Sequence, residues 1–292
     1  VAAVTGRAGD VLPAPRALTR WLILGIVGLV FLVPIVAMGE FTLRRGLEGG
    51  YDFTRWIEVF SGGLTGEYKG VLTALGNSVV LAVVTVVVML VILVPTMILV
   101  QLRFPYLRRA MEFLCLLPIT IPAIVLVVGL APVYSIVAKM FGSGVWTLSF
   151  AYGIIVLPFA YRAIQANLSA IDVVTLSEAG RSLGAGWPTV LGRVLLPNLR
   201  RGILSASFIS VAVVLGEYTI AALLNRVNLQ TALVIVSKSD PFVAVIFALL
   251  ALVFAFLLLL VIGRVGAPRR RHREPAASPT APAAVITTGA SS

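Results

Sequence analysis

Six long apolar runs leave this chain few ways to fold. They fall at 21–39, 76–100, 110–138, 146–166, 203–224 and 242–263. Crossing a hydrocarbon layer about 30 Å thick takes roughly 20 apolar residues, and a backbone there must satisfy its own N–H and C=O groups. Each run therefore reads as a transmembrane helix, and the chain as an all-α membrane protein. Composition agrees, with 59% hydrophobic residues, 12% charged residues and a mean hydropathy of +1.04, far from an ordinary soluble domain. The third run is irregular, because Pro118, Pro122 and Pro132 each remove a backbone donor and favour a kink or break. With no solenoid-like repeat, residues 18–264 read as one transmembrane domain between tails at 1–17 and 265–292.

Arg16 and Arg20 precede the first run, as in a signal peptide, but its apolar core exceeds the roughly 7–15 residues usual there. It reads as a retained helix. With both termini in the cytoplasm, 16 of the 23 Lys and Arg residues lie in inside segments and seven outside. That is the positive-inside pattern. The net charge of +11 then reflects topology and the lipid bilayer as partner, with no nucleic acid required. The C-terminal tail, rich in Pro, Ala, Ser and Thr, reads as disordered. Its Arg269–Arg273 cluster reads as a charged stop for the last helix, with anionic-lipid binding as the alternative.

Catalysis has little support. Cys115 is the single cysteine and lies in an apolar run, and His272 is the single histidine and lies in the tail; neither pattern makes a disulfide or a metal site. No G-x-x-x-x-G-K-[ST] loop occurs, nor any Gly-Lys dipeptide. A phosphate-cradling loop is thus not supplied by this chain, and any ATP belongs to another subunit.

Between the fourth and fifth runs lies the polar stretch LSEAGRSLGAGWPTVLGRVLLPNL, Leu176 to Leu199. Asp172 is positioned to cap a short helix whose packed face would carry Val173, Leu176, Ala179 and Leu183, with Glu178 and Arg181 pointing elsewhere. Gly184 suits the left-handed residue that ends a helix, and Pro188 the first turn of the next. On residues alone, two readings stand: a docking surface for a partner, or an interfacial helix whose Glu178 and Arg181 form a surface pair worth about 0.2–0.5 kcal/mol.

The spacing Glu178-Ala179-Gly180, three residues, Gly184, nine residues, Val194-x-Leu196-Pro197 resembles the EAA loop of bacterial ABC importer permeases. That pattern is E-A-A, three residues, G, nine residues, I-x-L-P. Gly180 departs from the usual alanine and Val194 from isoleucine; glycine weakens a helix by about 0.8–1.0 kcal/mol relative to alanine. LGNSVVLA from Leu75, LLPITIPAIVLVVGL from Leu116, LPFAYRAIQANLSAID from Leu157 and LGEYTIAALL from Leu215 resemble the same superfamily in the same order.

The resemblance implies a type I ABC importer permease fold of about six transmembrane helices in a bacterial inner membrane. It implies a second permease chain, identical or related, two ATPase subunits that hold ATP and Mg, and an extracytoplasmic substrate-binding protein. The loop at about 167–200 would be a cytoplasmic coupling helix, with Glu178, Ala179, Gly180, Arg181, Gly184, Leu196 and Pro197 as its coupling residues. In this role Glu178 contacts the ATPase, Gly184 makes the turn and Pro197 ends the loop before the fifth span. Leu183 stands where sugar permeases usually carry aspartate. The group importing polyamines, thiamine, ferric iron and phosphonates is the better likeness, and a polyamine-like or other small charged solute the expected cargo.

Glu217 is the acidic residue well inside a run, and such residues default to a functional role. It is expected either to contact cargo or to hold a gate or helix packing, with Tyr218 beside it and Asn77 as a further pathway candidate. Gly202, Ser205, Ala206, Ser207, Ser210 and Ala212 make the fifth run either a pathway-lining or a closely packed helix. An ion-coupled secondary transporter would call for more buried ionisable groups than Glu217 and Glu112. A non-transporting scaffold would leave the loop unexplained.

Overall fold

The computed structural model describes residues 17–46, 49–61 and 69–266. The expected tails, with Arg269–Arg273 and His272, lie essentially outside them. Among the described residues, six helical stretches are long and apolar enough to cross a membrane: Leu18–Leu43, Gly70–Arg103, Ala123–Phe141, Val145–Leu168, Trp187–Gly216 and Pro241–Arg264. In chain order the α-helices are α1 (Ala17–Leu43), α2 (Thr54–Ser61), α3 (Lys69–Arg103), α4 (Arg108–Leu116), α5 (Ala123–Phe141), α6 (Ser149–Leu168), α7 (Val173–Ser182), α8 (Trp187–Thr189), α9 (Leu196–Gly216), α10 (Thr219–Leu223), α11 (Leu229–Ser239) and α12 (Pro241–Gly266).

The α6/α9 pair forms the centre, with α3 against both. On α6, Tyr152, Val156, Ala160 and Ile164 recur every four residues and are buried. On α9, Gly202, Ala206 and Ser210 make the matching buried stripe. A Cβ at Gly202 would meet Asn167 Cβ at 2.9 Å and the Ala163 carbonyl at 3.2 Å, so glycine sets how closely these helices approach. Among the small residues of α9, these three serve packing, whereas Ser205 and Ala212 face outward.

The third apolar run is not one helix. Pro118 lies in a 3₁₀ turn, Leu117–Thr120, after α4, and Ile121 is extended (φ −98°, ψ 121°) just before Pro122, which leads into α5. A residue before proline is pushed out of the helical region, so the break falls there, while Pro132 is carried within α5. Tyr134 then ties α5 to the start of α6: its hydroxyl donates to the Thr147 carbonyl at 3.2 Å and accepts from the Ala151 N–H at 2.9 Å.

The fifth run also differs from expectation. Helix begins at Trp187 rather than 203, passes through a π-helical segment, Val190–Leu195, and stops at Gly216. Glu217 is extended (φ −86°, ψ 126°), so the run to 224 is broken and Glu217 sits at a helix end. Among the described residues, α2 and α11 were anticipated neither from the apolar runs nor from the polar loop that holds α7 and α8. The second is announced by a capping box in which Asn228 and Thr231 bond each other's backbone.

α1 stands apart. Its residues from 18 to 37 are exposed, and its far end is clasped to the start of α12. There Phe41 stacks on Phe242 at 4.7 Å, and Arg55 lies over the Phe242 ring at 4.2 Å and 3.7 Å from Asp240. Trp56 Nε1 donates to Thr42 Oγ1 at 3.0 Å.

Candidate functional site

Two polar interruptions break the apolar bundle. The first joins α6 to α9. Asp172 caps α7 as expected, accepting from the Thr175 N–H at 3.1 Å and the Thr175 hydroxyl at 2.6 Å. These bonds favour the ionised form and hold its carboxyl below the usual aspartate range.

The packed face of α7 runs through Val173, Leu176, Ser177 and Gly180, not through Ala179 and Leu183 as the sequence suggests. A Cβ at Gly180 would meet Val190 Cγ2 at 3.2 Å, so the α7 face that packs on the π-helical segment is the one bearing glycine. This rotation leaves Glu178, Ala179 and Arg181 exposed and Leu183 88% exposed.

Gly184 has φ +82°, the left-handed conformation its position requires. Its N–H bonds the Arg181 carbonyl at 2.9 Å while the Ala185 N–H bonds the Gly180 carbonyl at 3.1 Å. This pair is a Schellman turn. The chain then enters α8, with Pro188 in its first turn. Trp187, unremarked in the sequence, has the Arg181 guanidinium 5.1 Å and the Arg103 guanidinium 6.0 Å from its ring centroid. Arg181 thus turns to Trp187, and no ion pair joins it to Glu178 among the described residues.

Leu196 and Pro197 do not close a loop. They lie within continuous helix, directly after the π-helical segment, where the Leu196 N–H bonds the Leu191 carbonyl five residues back. Pro197 has no N–H to give, and the wider π turn carries the chain past that missing donor. Asn198 Nδ2 donates to the Val194 carbonyl at 2.7 Å.

The second interruption follows α9. Both carboxylate oxygens of Glu217 accept from the Ile220 N–H, at 3.1 and 3.0 Å, starting α10. Its carbonyl accepts from Asn228 Nδ2 at 3.0 Å and the Tyr152 hydroxyl at 3.5 Å, and Asn228 Nδ2 also reaches that hydroxyl at 3.2 Å. Gln230 Nε2 donates to the Leu215 carbonyl at 2.8 Å. Carbonyls that a helix end leaves without partners are thus taken up by side chains. Asn77 Nδ2 donates to the Val227 carbonyl at 3.0 Å, and Ser78 Oγ accepts from the Leu229 N–H at 2.8 Å. Glu217 and Asn77 are therefore brought to one cluster, while Tyr218 is exposed. Tyr152, Asn228 and Gln230 were not singled out by sequence; the Asn-x-x-Thr box was the available signal.

The family model described as binding-protein-dependent transport system inner membrane component matches residues 97–272. The match contains both interruptions and omits α1, α2 and most of α3. A probable ABC transporter permease protein of Sinorhizobium fredii is 30% identical over 167 residues, which cover 54% of this chain. The matched region spans 29% of that relative's length.

Proposed function

The chain belongs to the binding-protein-dependent transport system inner-membrane component family, the permeases of ABC transporters, and from that membership we propose that it is the pathway-forming subunit of an ATP-driven importer. It is a multi-pass inner-membrane protein. The observation that carries the proposal is α7: a short helix held at one end of the bundle by Gly180 against Val190 and terminated by the Gly184 turn, with Glu178, Ala179 and Leu183 left free. A rigid protrusion with an unoccupied face is what docking to a separate subunit requires.

In this reading the α7 end faces the cytoplasm, as do both termini, and Glu178, Ala179 and Leu183 enter a cleft on an ATPase subunit. Two such permease chains, two ATPase subunits and an extracytoplasmic binding protein complete the importer, and the ATPase pair holds the ATP and Mg. Closure of that pair would draw two α7 helices together and favour the outward-open state, and hydrolysis would release it. A ligand shifts such an equilibrium only by binding one state better. Because α7 packs on the π-helical segment and that segment continues into α9, a push on α7 reaches the centre of the bundle without crossing a loose loop.

The cargo in this proposal is a small charged solute, polyamine-like or of the related small-ion group, chosen chiefly by the binding protein. Glu217, engaged with the Ile220 N–H, fits a gate or positioning role better than direct contact with cargo. The test is copurification and reconstitution. Glu178→Arg should weaken ATPase docking or separate hydrolysis from transport while the permease stays folded. A Glu178→Arg chain that binds the ATPase and transports at the wild-type rate would return α7 to a merely interfacial helix.

A further inference from the structure

Two apolar cavities lie side by side along α3. The first, about 520 Å³, is lined by residues that include Ile98, Leu99, Leu102, Arg103 and Trp187. The second, about 430 Å³, is lined by Leu90, Val91, Val94, Leu196 and Ile203 among others. Pro95 and Leu191 line both, so the two adjoin between α3 and the π-helical segment and together outline a trough. From Leu90 to Arg103 it extends about 20 Å at 1.5 Å per residue. One leaflet of a bilayer's hydrocarbon is about 15 Å deep.

We propose that this trough is a site for an anionic phospholipid, with the phosphate at Arg103 and one acyl chain lying along α3 toward Leu90. Three observations choose that occupant. The trough walls are apolar apart from Arg103, which suits a hydrocarbon chain and not a hydrated solute or a polar protein surface. Arg103, exposed and without an ion-pair partner among the described residues, stands at the end where the helix leaves the apolar run. Trp187 beside it, with Phe104 and exposed Tyr106 next along the chain, supplies the aromatic character of a membrane–water boundary. Basic pockets between transmembrane helices are the setting in which lipid headgroups are held. Since Trp187 also carries Arg181 of α7, the bound headgroup sits one ring away from the proposed coupling helix. The lipid site itself needs only a membrane-embedded chain and stands or falls separately from the ATPase reading.

The test is native mass spectrometry of the full-length protein in mild detergent, titrated with phosphatidylglycerol. One phosphatidylglycerol should be retained per chain in preference to phosphatidylcholine. Arg103→Gln should lower its retention about fivefold, the scale of one basic residue at an anionic surface, and Arg103→Lys should restore most of it. Leu99→Trp fills the trough from an exposed position and should lower retention with Arg103 intact. Unchanged retention in either Arg103→Gln or Leu99→Trp overturns the site. Displacement of the lipid by millimolar inorganic phosphate would mark a free-anion site and overturn it too. Crosslinking of a Leu99→Cys chain into a dimer, in a Cys115→Ala background, would assign the trough to a second copy and also overturn it.

Discussion

The two polar interruptions of this bundle are treated in opposite ways. Around Glu217 the polar groups turn inward: Asn228, Tyr152 and Gln230 are spent on the carbonyls of Leu215 and Glu217. In the α7 loop they turn outward, and Glu178 is left exposed with only its backbone committed. The difference lies in the solvent each must face. A helix that breaks among apolar neighbours must find internal partners, because an unsatisfied buried group costs about 1–3 kcal/mol. A helix at the bundle's end can leave side chains free for water or for another protein. Substitutions should therefore lower stability at the first site and interaction at the second.

The largest effect is expected at Asn228, which is buried and bonds Tyr152, Glu217 and Thr231. Asn228→Ala should cost about 1–3 kcal/mol and lower the thermal transition in detergent by several degrees. Glu178→Arg should leave that transition unchanged while ATPase docking falls. Equal loss of stability in both variants would break the comparison.

Gly184 comes next. Gly184→Val places a β-branched residue at φ +82°, a strain of about 1–2 kcal/mol, and should loosen the Schellman turn and transport together. Gly184→Asn should be far milder, because asparagine tolerates the left-handed region. Hydrogen exchange across α7 reads the turn directly.

Glu217 should respond to loss of its acceptor rather than of its charge. Glutamine retains an oxygen for the Ile220 N–H, so Glu217→Gln should keep assembly and most transport, whereas Glu217→Ala should lower stability by about 1 kcal/mol. Transport abolished in the glutamine variant with assembly intact would move Glu217 to a direct role with a cationic solute.

The smallest effect is at Asp172. Its folded-state pKa is lowered by Thr175, so its contribution to α7 is full above the unfolded aspartate value, about 3.9, and is lost as pH falls through the depressed folded value. Exchange protection of α7 should thus hold at neutral pH and decline in strong acid. Asp172→Asn, which still caps, should flatten that decline.

Much of this was legible beforehand, for particular reasons. Six spans follow from run length alone, since hydrocarbon leaves the backbone no other partner. Asp172 and Gly184 are legible because a cap and a left-handed turn depend on residues within one helical turn. The break at Pro122 was announced by proline itself, while the break at Glu217 had no proline and was missed. It depends on Asn228 and Gln230, more than ten residues away, and on Tyr152 from another helix.

The sequence by itself determined which described stretches are long and apolar enough to cross a membrane and where α7 is capped and ended, because each rests on local composition and the reach of a single turn. The face α7 presents was decided only in three dimensions. Its apolar residues allowed Ala179 and Leu183 to be the packed side, but the close approach of Val190 to Gly180 fixes the helix's rotation and turns Leu183 outward. Tertiary contact likewise brought Arg103 and Arg181 to the Trp187 ring and set two cavities side by side along α3. No local pattern encodes these, since each requires side chains from segments that the sequence keeps far apart to meet within a few ångströms.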